Sequence, residues 1–166
     1  NKEVRRLSAK FATEQKSIRM FELNKRSLLF DAPYDFDAHC RYIEWNREPS
    51  KRFYLPRRKQ LYRVAKALQR LADNELDLLA ISLPPVVGKT TLALFFLTWL
   101  GGRNPEKPIL GGSHSNAFLR GVYEECIRIM DPQGDYLWND VFPVVKVVKT
   151  NAQDMMIDLG TDPKKG

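Results

Sequence analysis

The chain has 166 residues, 43% of them hydrophobic and 28% charged, with 27 Lys and Arg against 20 Asp and Glu for a net charge of +7. That length supports one domain with a real core, and the mix of apolar and charged residues is that of a globular protein rather than a disordered or fibrous one. The excess of base points to a polyanionic partner, nucleic acid first, with solvated basic surface as the plain alternative. Cys40 and Cys126 lie far apart with no CxxC spacing, so both read as free thiols in a reducing compartment and suggest no metal site. No apolar stretch approaches the ~20 residues of a membrane span.

Residues 1 to 30 are highly charged, with Val4, Leu7, Phe11, Ile18, Phe21, Leu28 and Leu29 at roughly helical intervals. This predicts a basic amphipathic helical arm that either docks on its own domain or serves a partner protein or neighbouring subunit. Asp31-Ala32-Pro33 breaks the pattern. Asp35 is placed to cap a short helix burying Phe36, Cys40, Ile43 and Trp45, which Pro49-Ser50-Lys51 ends. A longer helix, 57–74, carries Leu61, Val64, Ala65, Leu68 and Leu71 at helical spacing and Arg57, Arg58, Lys59, Arg63, Lys66 and Arg70 on its other faces.

The apolar run Leu78–Leu83 predicts a central parallel strand. The next helix is apolar nearly all round from Leu92 to Leu100 and should be stopped by Gly101-Gly102. A second strand is expected at Pro108–Ser113, a helix at Asn116–Met130, a turn at Asp131–Gly134, and strand-like pieces, edge or antiparallel, at Phe142–Lys149 and Asp154–Leu159. Asp162 to Gly166 has the look of mid-loop. Alternating strands and helices after residue 77 predict an α/β three-layer fold: a mostly parallel sheet flanked by helices, of the P-loop NTPase type, behind the N-terminal arm. The expected division is 1–48 for the arm and 49–166 for the nucleotide-binding domain.

Between the first strand and the apolar helix stands Leu83-Pro84-Pro85-Val86-Val87-Gly88-Lys89-Thr90-Thr91. Strand, tight Gly-Lys-Thr loop, then helix is the layout of a phosphate-binding loop, in which backbone N–H groups and a helix N-terminus face the anion. Lys89 is expected on the β- and γ-phosphates of ATP, Thr90 on Mg²⁺ through its hydroxyl, and Gly88 where the backbone closes on phosphate. Val86, Val87 and Thr91 would complete the loop, and Pro84 and Pro85 would stiffen its entrance. The usual first Gly is Leu83 here. Gln60 is a candidate for adenine, since a carboxamide can pair with N7 and the exocyclic amine together. Tyr54 and Phe53 are candidates for stacking on the base or, equally, core aromatics. Ser113-His114-Ser115 would either touch the ligand or cap the next helix. Asp158 is the one acid that ends an apolar run, and the expectation is that the acids needed for hydrolysis lie beyond Gly166.

Leu55-Pro56-Arg57-Arg58-Lys59-Gln60, the Pro-Pro-x-x-Gly-Lys-Thr loop, Ser113-His114-Ser115 before a helix bearing Arg120, and Trp138-Asn139-Asp140-Val141-Phe142-Pro143 follow one another in the order seen in a known family. Over about residues 45 to 160 the chain resembles the ATPase domain of the large terminase subunit of tailed bacteriophages. The resemblance implies an ATPase of a viral DNA-packaging motor, with Lys89 and Thr90 in the phosphate loop, Gln60 on adenine, and ATP and Mg²⁺ as cofactors. It further implies a homo-oligomeric ring on the portal protein, a small terminase subunit and double-stranded DNA as partners, and host cytoplasm as the location. Val86 and Val87 stand where that family's loop often carries an Arg. A helicase-like ATPase and a non-catalytic basic binding module with a degenerate loop are the alternatives.

Overall fold

A computed structural model describes residues 2–161, without the side chains of Lys2 and of residues 4–9. One helix of 30 residues, α1 (Lys2–Asp31), leads the chain. Phe11 and Ile18 on it are exposed, Phe21 tilts against Trp45 at 4.9 Å between ring centroids, and Leu28 is buried. The arm therefore docks by its C-terminal half. Val4 and Leu7, expected on the same stripe, lie outside the described side chains, as Asp162 to Gly166 lie outside the described residues.

Asp35 caps α2 (Phe36–Tyr42) as its sequence position suggests, its carboxylate accepting from the Ala38 N–H at 2.8 Å. A 3-10 turn at Pro49–Lys51 leads to α3 (Tyr54–Ala72). The start of α3 has no cap of its own. Glu44, almost fully buried, supplies one from across the fold by accepting from the Phe53 and Tyr54 N–H groups at 2.8 Å each, with Arg47 beside it at 3.1 Å. A buried carboxylate is tolerable when hydrogen bonds and a cation surround it in this way.

The apolar helix α4 (Lys89–Arg103) is the centre of the molecule. Trp99 and Phe96 meet Phe36 of α2, and Phe95 meets Phe53 at 5.7 Å, nearly edge-on. Two indoles tie the layers with buried hydrogen bonds, Trp99 Nε1 to the Ala32 carbonyl at 2.9 Å and Trp138 Nε1 to the Thr98 carbonyl at 3.0 Å. Helices α5 (Asn116–Met130) and α6 (Trp138–Val141) complete the packing, and β1 (Val145–Asn151) pairs antiparallel with β2 (Met156–Thr161), Val145 opposite Thr161 and Thr150 opposite Ile157.

The three-layer expectation is overturned. The chain is 56% helical, and its sheet has two antiparallel strands. Residues 78–83 and 108–113 run without regular secondary structure, and both are largely solvent-exposed, Leu78 at 84% and Leu110 at 98% of full exposure. An apolar run supplies side chains that suit a buried strand, but a strand exists only when its N–H and C=O groups pair with a neighbour. Among the described residues neither segment has one.

Gly101-Gly102 does not stop the helix, which continues to Arg103. The two glycines make room instead. A Cβ on Gly102 would stand 2.3 Å from the Phe142 ring, and one on Gly101 would stand 2.9 Å from Leu159 Cδ1. The α6–β1 junction and the hairpin thus close on the C-terminal end of α4.

Candidate functional site

The N-terminal end of α4 is built in the opposite way. Its cap residue, Gly88, sits at φ +100°, a left-handed conformation that Gly adopts freely. No side chain caps the helix there, so the first-turn N–H groups of Lys89, Thr90 and Thr91 have no side-chain partner. Before it, Pro85 and then Val86 at φ +65° form the bend. Pro followed by a positive φ is the pattern of a type II turn, whose third place normally goes to Gly. Val86 is β-branched and fully outside, at 95% exposure, so the conformation is strained and no burial compensates it.

Across this bend Lys89 folds back, its Nζ donating to the Leu83 carbonyl at 2.7 Å. The loop is closed by its own lysine. Since the acceptor is a backbone carbonyl, the contact asks for no particular side chain at residue 83. Thr90 is exposed beside Lys89 in the first turn. Val87 and Gly88 are half-buried.

Gly88 is required twice over, by its φ and by a close neighbour: a Cβ there would stand 2.1 Å from Phe53 Cε2. Phe53 is thus the residue that seats the loop on α3. Arg57, one turn on, lies over the same ring with its guanidinium carbon 5.3 Å from the centroid and donates to the Phe53 carbonyl at 3.1 Å. Gln60 is exposed and follows Phe53 and Arg57 at i+7 and i+3 spacing, on one stripe of α3 leading away from the loop. Sequence reasoning had counted Arg57 only among the outward bases of its helix. The signal that finds it is its offset of four from Phe53.

Other candidates lie elsewhere. The Tyr54 ring is fully buried, and its hydroxyl donates to Asp37 at 2.6 Å, beside a two-pronged ion pair between Asp37 and Arg58. Burial and the neighbouring Asp37 carboxylate push the phenol far above its usual range. Tyr54 is thus a core residue, and the aromatic against the loop is Phe53. Ser115 caps α5 by accepting from the Phe118 N–H, while Ser113 accepts from the Ser115 N–H, both at 3.3 Å, so these serines serve the helix start. His114 is exposed. Asp158 lies on β2 next to Leu159, which touches Gly101. That is the far end of α4, roughly 18 Å along the helix from Lys89 at 1.5 Å per residue.

No three His, Cys, Asp or Glu side chains converge on a common point among the described residues. A cavity of about 300 Å³ between α1, α2 and the 3-10 turn is lined by Arg52, Glu44 and Trp45 among others. Two of its polar groups are already used, Arg52 on the carbonyls of Arg47 and Trp45, and Glu44 on the start of α3. None of the described helices is long and apolar enough to cross a membrane. No family model, curated protein or solved structure matches the chain.

Proposed function

We propose that the Leu83–Thr91 loop binds the phosphates of ATP. The observation that carries this is the Lys89 side chain reaching back over an uncapped helix start to the Leu83 carbonyl. Free backbone N–H groups, the positive end of a 15-residue helix and one ammonium then belong to the same helix start and can serve one anion. Thr90 is the proposed Mg²⁺ ligand and Gln60 the proposed adenine contact. Titration of the chain with ATP and with AMP tests the reading. ATP is expected to bind more tightly than AMP, and Lys89→Ala should weaken ATP at least tenfold, as loss of a charge-assisted contact requires. Equal ATP affinity in the two proteins would sink it.

The wider role proposed is the nucleotide-holding part of a DNA-packaging ATPase, acting with a portal protein and a small terminase subunit in a ring on double-stranded DNA. The order of Gln60, the loop, Ser113-His114-Ser115 and the Trp138 segment supports it, as does the net charge of +7. Binding to double-stranded DNA should weaken steeply and linearly on a log–log plot against salt, without base preference. A nucleotide-binding module without hydrolysis is the second reading. The placement of Asp158 at the opposite end of α4 favours it, and ATP binding without any salt-sensitive binding to double-stranded DNA would support it over the motor.

A further inference from the structure

We infer that Arg57 is a second phosphate-binding cation of the Leu83–Thr91 loop, reaching the ligand across the face of Phe53. The inference rests on the reading of that loop as a phosphate site and assigns it a residue from another helix. A nucleoside triphosphate brings a charge of about −4, while Lys89 and the half-charge of a helix N-terminus supply about +1.5, or about +3.5 with one Mg²⁺ beside Thr90. Val86 and Val87 add none. The loop and helix start on their own are therefore short of positive charge, most of all before a metal ion joins.

Of the α3 bases without a carboxylate partner among the described residues, Arg57 is the one that lies against Phe53. Along α3, Arg58 is held by Asp37, Lys66 by Asp35 and Arg70 by Glu75. Arg57 has no carboxylate among the described residues. Its contacts are the Phe53 ring and the Phe53 carbonyl, which takes one of its five donors. Phe53 itself is fixed, wedged between Gly88 and Phe95. The loop backbone at Gly88 thus meets the edge of the ring over whose face the guanidinium lies. A half-exposed cation over a ring is held loosely enough to turn its planar fork onto phosphate oxygens. The spacing of four between Phe53 and Arg57 fixes this arrangement, whatever occupies the loop.

A rival role exists on the same geometry: Arg57 steadies Phe53, and Phe53 alone meets the ligand, through its base. A probe without a base separates the two. The full chain, Arg57→Ala, Arg57→Lys, Lys89→Ala and the exposed-neighbour control Lys59→Ala are titrated with ATP and with inorganic tripolyphosphate, and a thermal melt of each confirms folding. Arg57→Ala should weaken both ligands about tenfold, Arg57→Lys should recover most of that, and Lys59→Ala should change neither. Weakened ATP with unchanged tripolyphosphate would assign Arg57 to the ring and overturn the inference, as would no change in either. The two readings fail separately. If the wild-type chain binds neither ligand, or Lys89→Ala binds both as well as wild type does, the loop itself is no phosphate site. If Lys89→Ala loses both and Arg57→Ala loses neither, only the role of Arg57 is lost.

Discussion

The two ends of α4 carry the same residue type for opposite purposes. At the N-terminal end Gly88 takes a positive φ, leaves the first-turn N–H groups uncapped and sits in an exposed, strained loop. At the C-terminal end Gly101 and Gly102 keep helical geometry and vanish beneath Leu159 and Phe142. One end presents backbone donors to solvent and the other presents a flat backbone to one aliphatic and one aromatic side chain. On the proposed reading, ligand chemistry and fold stability are separated along one 15-residue helix, and each end can be altered without the other.

The largest effect is expected at the closed end. Gly102→Ala drives a methyl into the Phe142 ring, and overpacking of this kind should cost about 3 kcal/mol in a urea titration while ATP affinity of the folded protein stays unchanged. A neutral result would mean that Phe142 moves aside freely and that the closed end is not closed.

A smaller effect comes from the aromatic cluster on which that end rests. His39 is fully buried among Phe36, Trp99 and Phe142, with neither ring nitrogen hydrogen-bonded among the described residues. Burial alone lowers its pKa from 6.5 to about 3. The folded protein then keeps the ring neutral from pH 6.5 down to about 3, while the unfolded chain takes up a proton from about 6.5 downward. Stability is full above pH 6.5 and falls with pH below it. Between pH 7 and 5 the loss should be about 2 kcal/mol. His39→Leu should remove that part of the pH dependence, read as urea midpoints at the two pH values. An identical pH profile in wild type and variant would show that His39 finds a proton acceptor when folded.

The smallest effect belongs to the open end. Val86→Gly relieves a β-branched residue at φ +65° and should raise stability by about 1 kcal/mol, the strain removed being partly offset by the freer unfolded chain. A loss of stability on thermal melting would contradict the strained-bend account.

Much of this was open to reading before any coordinates. The helical spacing of Leu61, Ala65 and Leu68, the caps at Asp35 and Ser115, and Gly-Lys-Thr at a helix start are local signals, and each sits where its local physics puts it. Two kinds of feature escaped. Leu78–Leu83 and Pro108–Ser113 look like strands because their side chains suit one, yet pairing is a long-range event that composition does not encode. Gly101-Gly102 looks like a helix stop because Gly is a poor helix former, and the aromatic ring that makes Gly necessary there lies forty residues on, at Phe142. At the site, Lys89 was legible but the carbonyl that anchors it was not, since Leu83 acts through its backbone. Phe53 was legible only as one of two adjacent aromatics, and the contact with Gly88 separates it from the buried Tyr54.

The separation of the two ends is tested most directly by following backbone amide resonances of the chain as ATP is added. The account predicts shifts at Val86 to Thr91 and at Phe53 and Arg57, with Gly101, Gly102 and the Phe142 segment unmoved. Shifts centred on Gly101 to Phe142 or on the Arg52–Trp45 cavity, or no shifts at all, would contradict it.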